Sequence, residues 1–135
     1  MAVSMAGSGA MFLPPPLHEL ESEVMEEVWG QGCVTVRAIF EALNARNGKQ
    51  RAYTTIMTIM QRLDEKGLLC RCRQGKTDVY EACLTRDEYL QARAEAEVGA
   101  LVEQYGDAAL VHFARRIDQL DPERRQQLNE LAHRG

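Results

Sequence analysis

The chain has 135 residues, of which 45% are hydrophobic and 27% charged, so its length suits one domain, or one domain with a smaller appendage. Such a chain can bury a core without metal ions or disulfides, and its ordinary composition argues against collagen-like, fully disordered and repeat architectures. The formal net charge of −4, taken alone, argues against a protein that binds nucleic acid.

The charge is distributed unevenly along the chain. Residues 1–36 contain five acids and no Lys or Arg, whereas residues 37–76 contain nine bases and three acids, a net charge of +6. Residues 77–83 and 84–135 are again acidic, with net charges of −2 and −3. The nine bases are Arg37, Arg46, Lys49, Arg51, Arg62, Lys66, Arg71, Arg73 and Lys76. This basic segment indicates either a local surface for nucleic acid or an ordinary solvated face.

The start of the chain is apolar and rich in small residues and proline. Residues 1–15 predict a disordered leader, because the apolar run is interrupted by glycine and proline and lacks the positive charge of a secretory signal. The sequence also has no uninterrupted apolar stretch long enough to span a membrane. We therefore expect a cytoplasmic protein, whose four cysteines default to reduced thiols.

Three predicted helices follow the leader. Apolar residues at helical spacing predict the first helix over residues 17–29, which ends at Gly30 and Gly32. Thr35 is the expected N-cap of a second helix. A third helix is predicted over residues 52–66, before a glycine that ends it.

The third helix has two distinct faces at 100° per residue. Its polar face carries hydroxyl, amide and guanidinium groups, and its opposite face is apolar. A merely solvated face normally uses Glu, Lys and Gln, which favour the helix more than threonine does. Short hydroxyl and amide side chains suit a helix in the major groove, with arginines on phosphates. The candidate DNA-binding residues of this face are Arg51, Thr54, Thr55, Thr58, Gln61 and Arg62. The alternative is a marginal helix held only by packing.

A β-hairpin is predicted after the third helix, with strands over 68–73 and 78–83 around Gly75. Helix, helix, helix and hairpin is the order of a winged helix-turn-helix domain, which we place at residues 16–84. Arg71, Arg73 and Lys76 lie on the first strand and the tip, where a wing contacts DNA. Exposed bases on a hairpin also protect edge strands from aggregation, so on their own they indicate little.

The C-terminal region, residues 85–135, predicts helices with breaks at Gly106 and at Asp121-Pro122. Its apolar stripes have too little mass for a core of their own, so we expect them to form a homodimer. The alternative is that they pack onto the N-terminal domain. The candidate dimerisation residues are Leu90, Val98, Leu101, Val102, Tyr105, Leu110, Phe113 and Ile117. A dimer would place two third helices one turn of DNA apart, which predicts a palindromic site.

Three cysteines fall on the predicted hairpin. Cys70 and Cys72 project from one face of a strand, and Cys70 faces Cys83 if paired residue numbers sum to 153. A thiol switch, a soft-metal site and ordinary buried thiols are all compatible with this arrangement. No fourth ligand lies nearby in the sequence, so we expect no cofactor.

Several motifs resemble the BlaI/MecI family of penicillinase repressors. The segment Ala52-Tyr53-Thr54-Thr55-Ile56-Met57-Thr58 and the following Arg62-Leu63…Lys66-Gly67-Leu68 carry the most specific part of the resemblance. Leu20-Glu21, Val24-Met25, Trp29, Thr35-Val36-Arg37 and Tyr80 continue it, and the residues from Val102 to Phe113 resemble its dimerisation region. The resemblance covers about residues 17–120.

The resemblance implies a homodimeric winged-helix repressor on palindromic operator DNA, with the third helix in the major groove. It also implies a regulatory protease, since well-known members are cleaved at an Asn-Phe bond; this sequence contains no Asn-Phe. We therefore expect a mainly α protein with a small β-hairpin that acts as a transcriptional repressor and not as an enzyme. The alternatives are a thiol- or metal-responsive regulator and a winged-helix module that binds only protein.

Overall fold

The computed structural model describes residues 12–46 and 48–134, and these form six helices and one β-hairpin. The mainly α fold with an N-terminal winged helix-turn-helix is therefore confirmed. The elements in chain order are α1 (Glu19–Gln31), α2 (Val36–Asn44), α3 (Tyr53–Glu65), β1 (Leu69–Gln74), β2 (Thr77–Ala82), α4 (Arg86–Tyr105), α5 (Asp107–Asp118) and α6 (Pro122–Ala132).

Two compact units divide the chain within α4: the first extends to Ala94 and the second begins at Glu95. The first unit therefore contains the winged helix-turn-helix and the first turns of α4, and the second contains the remaining helices. This division lies ten residues after the predicted end of the DNA-binding domain at residue 84. The division of the chain by function stays a prediction.

Short polar side chains begin two of the helices where the sequence predicts them. The Thr35 hydroxyl accepts a hydrogen bond from the Ala38 amide at 3.1 Å and so caps α2. The Asp121 carboxylate accepts one from the Arg124 amide at 2.8 Å, with Pro122 in the first helical position of α6. The helix α1 continues through Gly30, two residues beyond its predicted end, and Gly32 then turns the chain with a φ of +94°.

The core of the first unit lies between α1, α2, α3 and the hairpin. It consists of apolar residues from all of these elements, and Tyr89 of α4 joins them. Their side chains are Val24, Met25, Val28, Val34, Val36, Ile39, Leu43, Ile56, Met60, Leu63, Leu68, Leu69, Tyr80 and Tyr89. Burying these side chains supplies most of the stabilisation of the unit.

The strands β1 and β2 pair in an antiparallel hairpin in which paired residue numbers sum to 151. The two-residue turn at Gly75, whose φ is +65°, sets this register. The predicted sum of 153 is therefore wrong, and Cys70 pairs with Glu81 instead of Cys83. Val34 forms an isolated antiparallel β-bridge with Tyr80, since the two residues exchange backbone hydrogen bonds at 2.7 and 2.8 Å.

The chain before α1 packs on the first turns of α4. Pro14 is fully buried, and its carbonyl accepts a hydrogen bond from Arg93 Nη1 at 3.0 Å. The Tyr89 hydroxyl donates to the carbonyl of Pro15 at 3.1 Å. Residues 1–11 of the predicted leader lie outside the described residues, whereas Pro14 and Pro15 at its end are held by these contacts. Proline lacks a backbone N–H but its carbonyl still accepts hydrogen bonds, so a proline-rich segment can be held in place. The composition of the segment did not predict these two hydrogen bonds.

A buried carboxylate connects the start of α1 to the end of α3. Glu21 is 3% exposed, accepts a hydrogen bond from the His18 amide at 3.0 Å, and lies 2.6 Å from Lys66 Nζ. Burial by itself raises the pKa of this carboxyl, but the His18 and Lys66 hydrogen bonds outweigh it, so the pKa of Glu21 is lowered. Lys66 therefore forms an ion pair with Glu21 inside the fold.

We expect Glu21→Gln to lower the free energy of unfolding at neutral pH by about 1–3 kcal/mol. Because the folded protein lowers this pKa, the contribution is present above the pKa of the unfolded carboxyl and is lost as the pH falls below about 4.5. Urea unfolding at several pH values checks this. Glu19→Gln, an exposed change in the same helical turn, is the control. Equal losses for both variants at every pH would contradict the role of Glu21.

Candidate nucleic-acid interface

The helix α3 turns its apolar side inward and its hydroxyl and amide side outward. Ile56, Met60 and Leu63 are 0% exposed, and this stripe sets the rotation of the helix about its axis. On the other side the predicted contact residues are all exposed, namely Thr54, Thr55, Thr58, Gln61 and Arg62. Among the described residues Arg62 forms no ion pair. The helix therefore presents short hydrogen-bonding groups and one unneutralised guanidinium to its surroundings.

Arg51 does not share this face. It precedes Ala52, the N-cap of α3, and the Asn44 side chain bonds both its amide and its carbonyl at 2.9 Å. Its side chain is 22% exposed, with Nη2 3.8 Å from the Glu23 carboxylate of α1. The prediction continued the 100° spacing to Arg51, two residues before the helix begins at Tyr53, so the structure separates Arg51 from the other polar residues of the third helix.

The hairpin carries its bases as predicted, but two of them lie near acids. Arg71 lies 3.9 Å from both Asp64 and Asp78, and Arg73 lies 3.7 Å from Asp78. Their side chains remain 48% and 66% exposed, so these contacts are weak. Lys76 lies at the tip and is exposed, and none of the ion pairs in the described part of the chain includes it.

Tyr80 lies opposite Arg71 in the hairpin and anchors it to the core. Burial raises the pKa of the Tyr80 hydroxyl, although Arg71 acts in the opposite direction. The phenol is therefore neutral near pH 7, and its side chain joins the hairpin to the core of the first unit.

An open cleft of about 500 Å³ joins the start of α2, the exposed side of α3 and the tip of the hairpin. Its lining includes Thr35, Arg37, Tyr53, Gln61 and Lys76. The cleft thus brings two predicted contact residues, Gln61 and Lys76, together with three residues that the sequence reasoning did not select.

Arg37 and Tyr53 form the best-defined contact in this cleft. The Arg37 guanidinium lies 5.2 Å from the centre of the Tyr53 ring, in cation–π range. The Tyr53 ring packs edge-on against Phe40 at 5.5 Å. The sequence analysis counted Arg37 in the basic segment but did not select it as a contact residue. Its position in the first turn of α2 places it at the cleft only because α2 and α3 lie side by side.

The acids of α1 neutralise one side of the basic segment. Glu27 contacts Arg46, and Glu23 and Glu21 pair with bases on either side of α3. Apart from Lys49 in the loop before α3, the bases that have no such partner in α1 belong to α2, α3 and the hairpin. Of these, Arg37 lies 3.8 Å from Glu41, and Arg71 and Arg73 have only the weak contacts given above. The predicted +6 segment is therefore divided, and the bases that α1 does not neutralise lie around the cleft or near it.

The cysteines differ from the expected reduced state. Cys70 and Cys83 form a disulfide, with Cα atoms 5.6 Å apart. Cys72 and Cys33 are free and exposed. Over residues 12–46 and 48–134, no three ligating side chains are grouped so that they could hold a metal ion.

Comparison with known proteins agrees with this architecture. The model of the penicillinase repressor family matches residues 17–134. The chain belongs to this family. The prediction of a DNA-binding transcriptional regulator with a winged-helix domain is thereby confirmed.

The relatives are regulators of similar length. The transcriptional regulator BlaI of Mycobacterium tuberculosis, from strains CDC 1551 / Oshkosh and ATCC 25618 / H37Rv, is 40% identical over 114 residues, which cover 81% of this chain and 80% of the relative. The penicillinase repressor of Bacillus licheniformis is 23% identical over 117 residues, 87% of each chain.

Two solved structures are similar to part of the chain. One is the solution structure of the DNA-binding domain of the repressor BlaI, with 24% identity and a TM-score of 0.49, covering 58% of this chain and 92% of that one. The other is Bacillus licheniformis BlaI in its monomeric form with the blaP half-operator, with 25% identity and a TM-score of 0.48, covering 56% and 90%. Every helix in the described part of this chain is too short or too polar to cross a membrane.

The different surroundings of Arg51 and Arg62 predict different effects on stability. Arg51→Ala removes the contact with Glu23 and the buried stem of the side chain, so we expect it to lower the free energy of unfolding by about 1 kcal/mol. Arg62→Ala changes an exposed residue and should alter this energy by less than about 0.5 kcal/mol. Urea unfolding of both variants checks the difference, and an equal cost would contradict the position given to Arg51.

Proposed function

We propose that the chain represses transcription as a homodimer that binds a palindromic operator, with α3 in the major groove of each half-site. The observation that carries this proposal is the exposed row of threonines and Gln61 on α3 beside a cleft edged by bases. An α-helix fits the major groove of B-DNA, where hydroxyl and amide groups reach base edges and the thymine methyl group.

The bases around the cleft have a separate role in this proposal. Arg62 on α3, Arg37 on α2, and Arg71, Arg73 and Lys76 on the hairpin bind phosphates on either side of the groove. Contacts of this kind fix the position of the helix without selecting a sequence. The Tyr53 ring supports the Arg37 guanidinium, so that this base is already oriented before DNA arrives. Arg51 acts indirectly, because it holds the loop before α3 against α1.

The dimer is proposed from the apolar side chains of the C-terminal helices. Val98, Leu101, Tyr105, Leu110 and Ile117 are 39% to 56% exposed in the single chain. Contiguous exposed apolar side chains on a soluble regulator mark an interaction surface. A second copy offers the same surface under two-fold symmetry, and the two α3 helices would then lie about 34–36 Å apart on one face of DNA. Val102, Phe113 and Leu90 complete the predicted set.

Release from DNA requires a signal in this proposal. Cleavage at Asn-Phe has no target bond here, because Asn44, Asn47 and Asn129 precede Ala, Gly and Glu. A regulatory protease would have to act at another bond.

We expect Arg62→Ala to weaken binding to all DNA sequences by about three- to tenfold and to reduce the slope of log K against log salt by about 1. Thr54→Ala and Gln61→Ala should instead change which sequences are bound. Selection from a random-sequence duplex library, followed by titration at several salt concentrations, separates the two effects. If the affinity for DNA does not change with salt concentration, the alternative of a winged-helix module that binds only protein is favoured. If Thr54→Ala and Gln61→Ala leave the selected DNA sequences unchanged, α3 is oriented differently on DNA.

Leu101→Glu should convert the dimer into a monomer, because it places a charge on each side of the apolar contact. We expect light scattering after gel filtration to give the mass of one chain, with DNA affinity reduced because each half-site is bound alone. Gln104→Glu, an exposed change in the same helix, is the control. A dimer that persists in Leu101→Glu would place the interface elsewhere.

A further inference from the structure

The disulfide lies where the hairpin joins the rest of the first unit. Cys70 is the second residue of β1, and Cys83 directly follows β2. Cys83 donates its backbone amide to the carbonyl of Leu68 at 3.0 Å, so the two cysteines lie diagonally across the last hydrogen-bonded rung. Their Cα separation of 5.6 Å is the separation that disulfides prefer. This pairing is set by the backbone of the hairpin and needs no rearrangement.

The bond encloses the whole of the proposed wing. The closed loop contains the hairpin bases, and its two ends continue into the turn after α3 and into Thr85, which begins α4. A covalent link at this position joins the two strands where they leave the core, so it limits how far the strands can separate and how freely the hairpin moves on its two connections. The other two cysteines take no part in this bond: Cys72 lies on β1 within the closed loop, and Cys33 precedes Val34 outside it.

Small molecules can reach the bond. Cys70 and Cys83 are half-buried, and Cys83 lines an open cleft of about 680 Å³ together with Trp29, Cys33 and Arg86. A disulfide that opens onto such a cleft is accessible to a low-molecular-weight thiol, whereas a fully buried one would not be.

We propose that Cys70 and Cys83 are a redox-modification site, and that their disulfide increases affinity for DNA by holding the wing in its binding position. The co-reactant is a low-molecular-weight thiol and its disulfide. The thiolate attacks one cysteine sulfur and releases the other as a thiolate; a second thiolate attacks the mixed disulfide, which leaves two protein thiols and one small disulfide. Oxidation is the reverse reaction. This proposal rests on the proposed DNA binding, and the pairing of the cysteines can be tested without DNA.

The direction follows from loop closure. In the dithiol form the hairpin keeps its backbone hydrogen bonds but samples more orientations, so Arg71, Arg73 and Lys76 must be ordered when DNA binds. The disulfide removes part of that cost beforehand. We expect the oxidised protein to bind about three- to tenfold more tightly than the reduced protein, with a similar salt dependence, because the number of phosphate contacts is unchanged.

Trypsin separates the cysteines of this chain, which makes the pairing easy to identify. Cleavage after Lys66, Arg71, Arg73, Lys76 and Arg86 places Cys70 in peptide 67–71, Cys72 in 72–73 and Cys83 in 77–86. The full-length protein is treated with oxidised or reduced glutathione, alkylated and digested. We expect peptides 67–71 and 77–86 to be joined after oxidation and separate after reduction. A different pair, or free Cys70 and Cys83 after oxidation, would overturn the proposal.

In a second experiment the oxidised and the reduced full-length protein, neither alkylated nor digested, are titrated with selected duplex DNA. Cys70→Ser and Cys83→Ser should bind with the lower affinity of the reduced protein under both conditions, and Cys33→Ser and Cys72→Ser should retain the full redox response. The wild-type comparison does not depend on whether the serine variants fold. If both wild-type forms bind equally, or the oxidised form binds more weakly, the redox role is wrong. If the correctly paired protein binds no DNA in either form, the proposed function fails instead.

Discussion

Burial of Ile56, Met60 and Leu63 is the constraint on which the rest of the interface depends. These three side chains lie at the centre of the core, and their spacing leaves one possible rotation of α3. The row from Thr54 to Arg62 is exposed because the opposite row is buried. Substitutions in the buried row would therefore disturb DNA binding without contacting DNA, since they would change the rotation of α3 or the position of α2 and the hairpin beside it.

Charge is organised around the same helix. The first helix supplies Glu21, Glu23 and Glu27 to bases that lie behind or beside α3. These pairs hold α1, the loop before α3 and the end of α3 together, and they leave the positive charge concentrated on the side of the cleft. Each exposed pair stabilises the fold little on its own. Their combined effect is to restrict attraction for phosphate to the side where Arg37, Arg62 and the hairpin lie.

Much of this could be predicted from the sequence because local signals agree with the fold. Helical periodicity located all six helices, and glycine at position 75 located the hairpin. The predicted register placed each partner two residues too far along the second strand, because the length of the turn decides the register. Arg51 was misplaced because the helical spacing was continued past the N-cap Ala52, where the backbone is extended and 100° per residue no longer applies. The Arg37–Tyr53 contact and the packing of Pro14 join residues that only tertiary structure brings together. The sequence analysis already placed Cys70 near Cys83, but through a register that the structure does not have.

The net charge of −4 does not argue against DNA binding once the distribution of the charges is known. An acidic chain with one basic side is attracted to DNA in a single orientation and is repelled in others. Non-specific affinity is therefore low for one copy, and the proposed dimer would gain affinity once the second copy is held near its half-site. In that dimer, a change in the position of the basic side relative to α3 would act at both half-sites at once. The tip of the hairpin, with exposed Arg73 and Lys76, extends beyond the residues of the core, so its orientation is the part of this side that a local change would alter most readily.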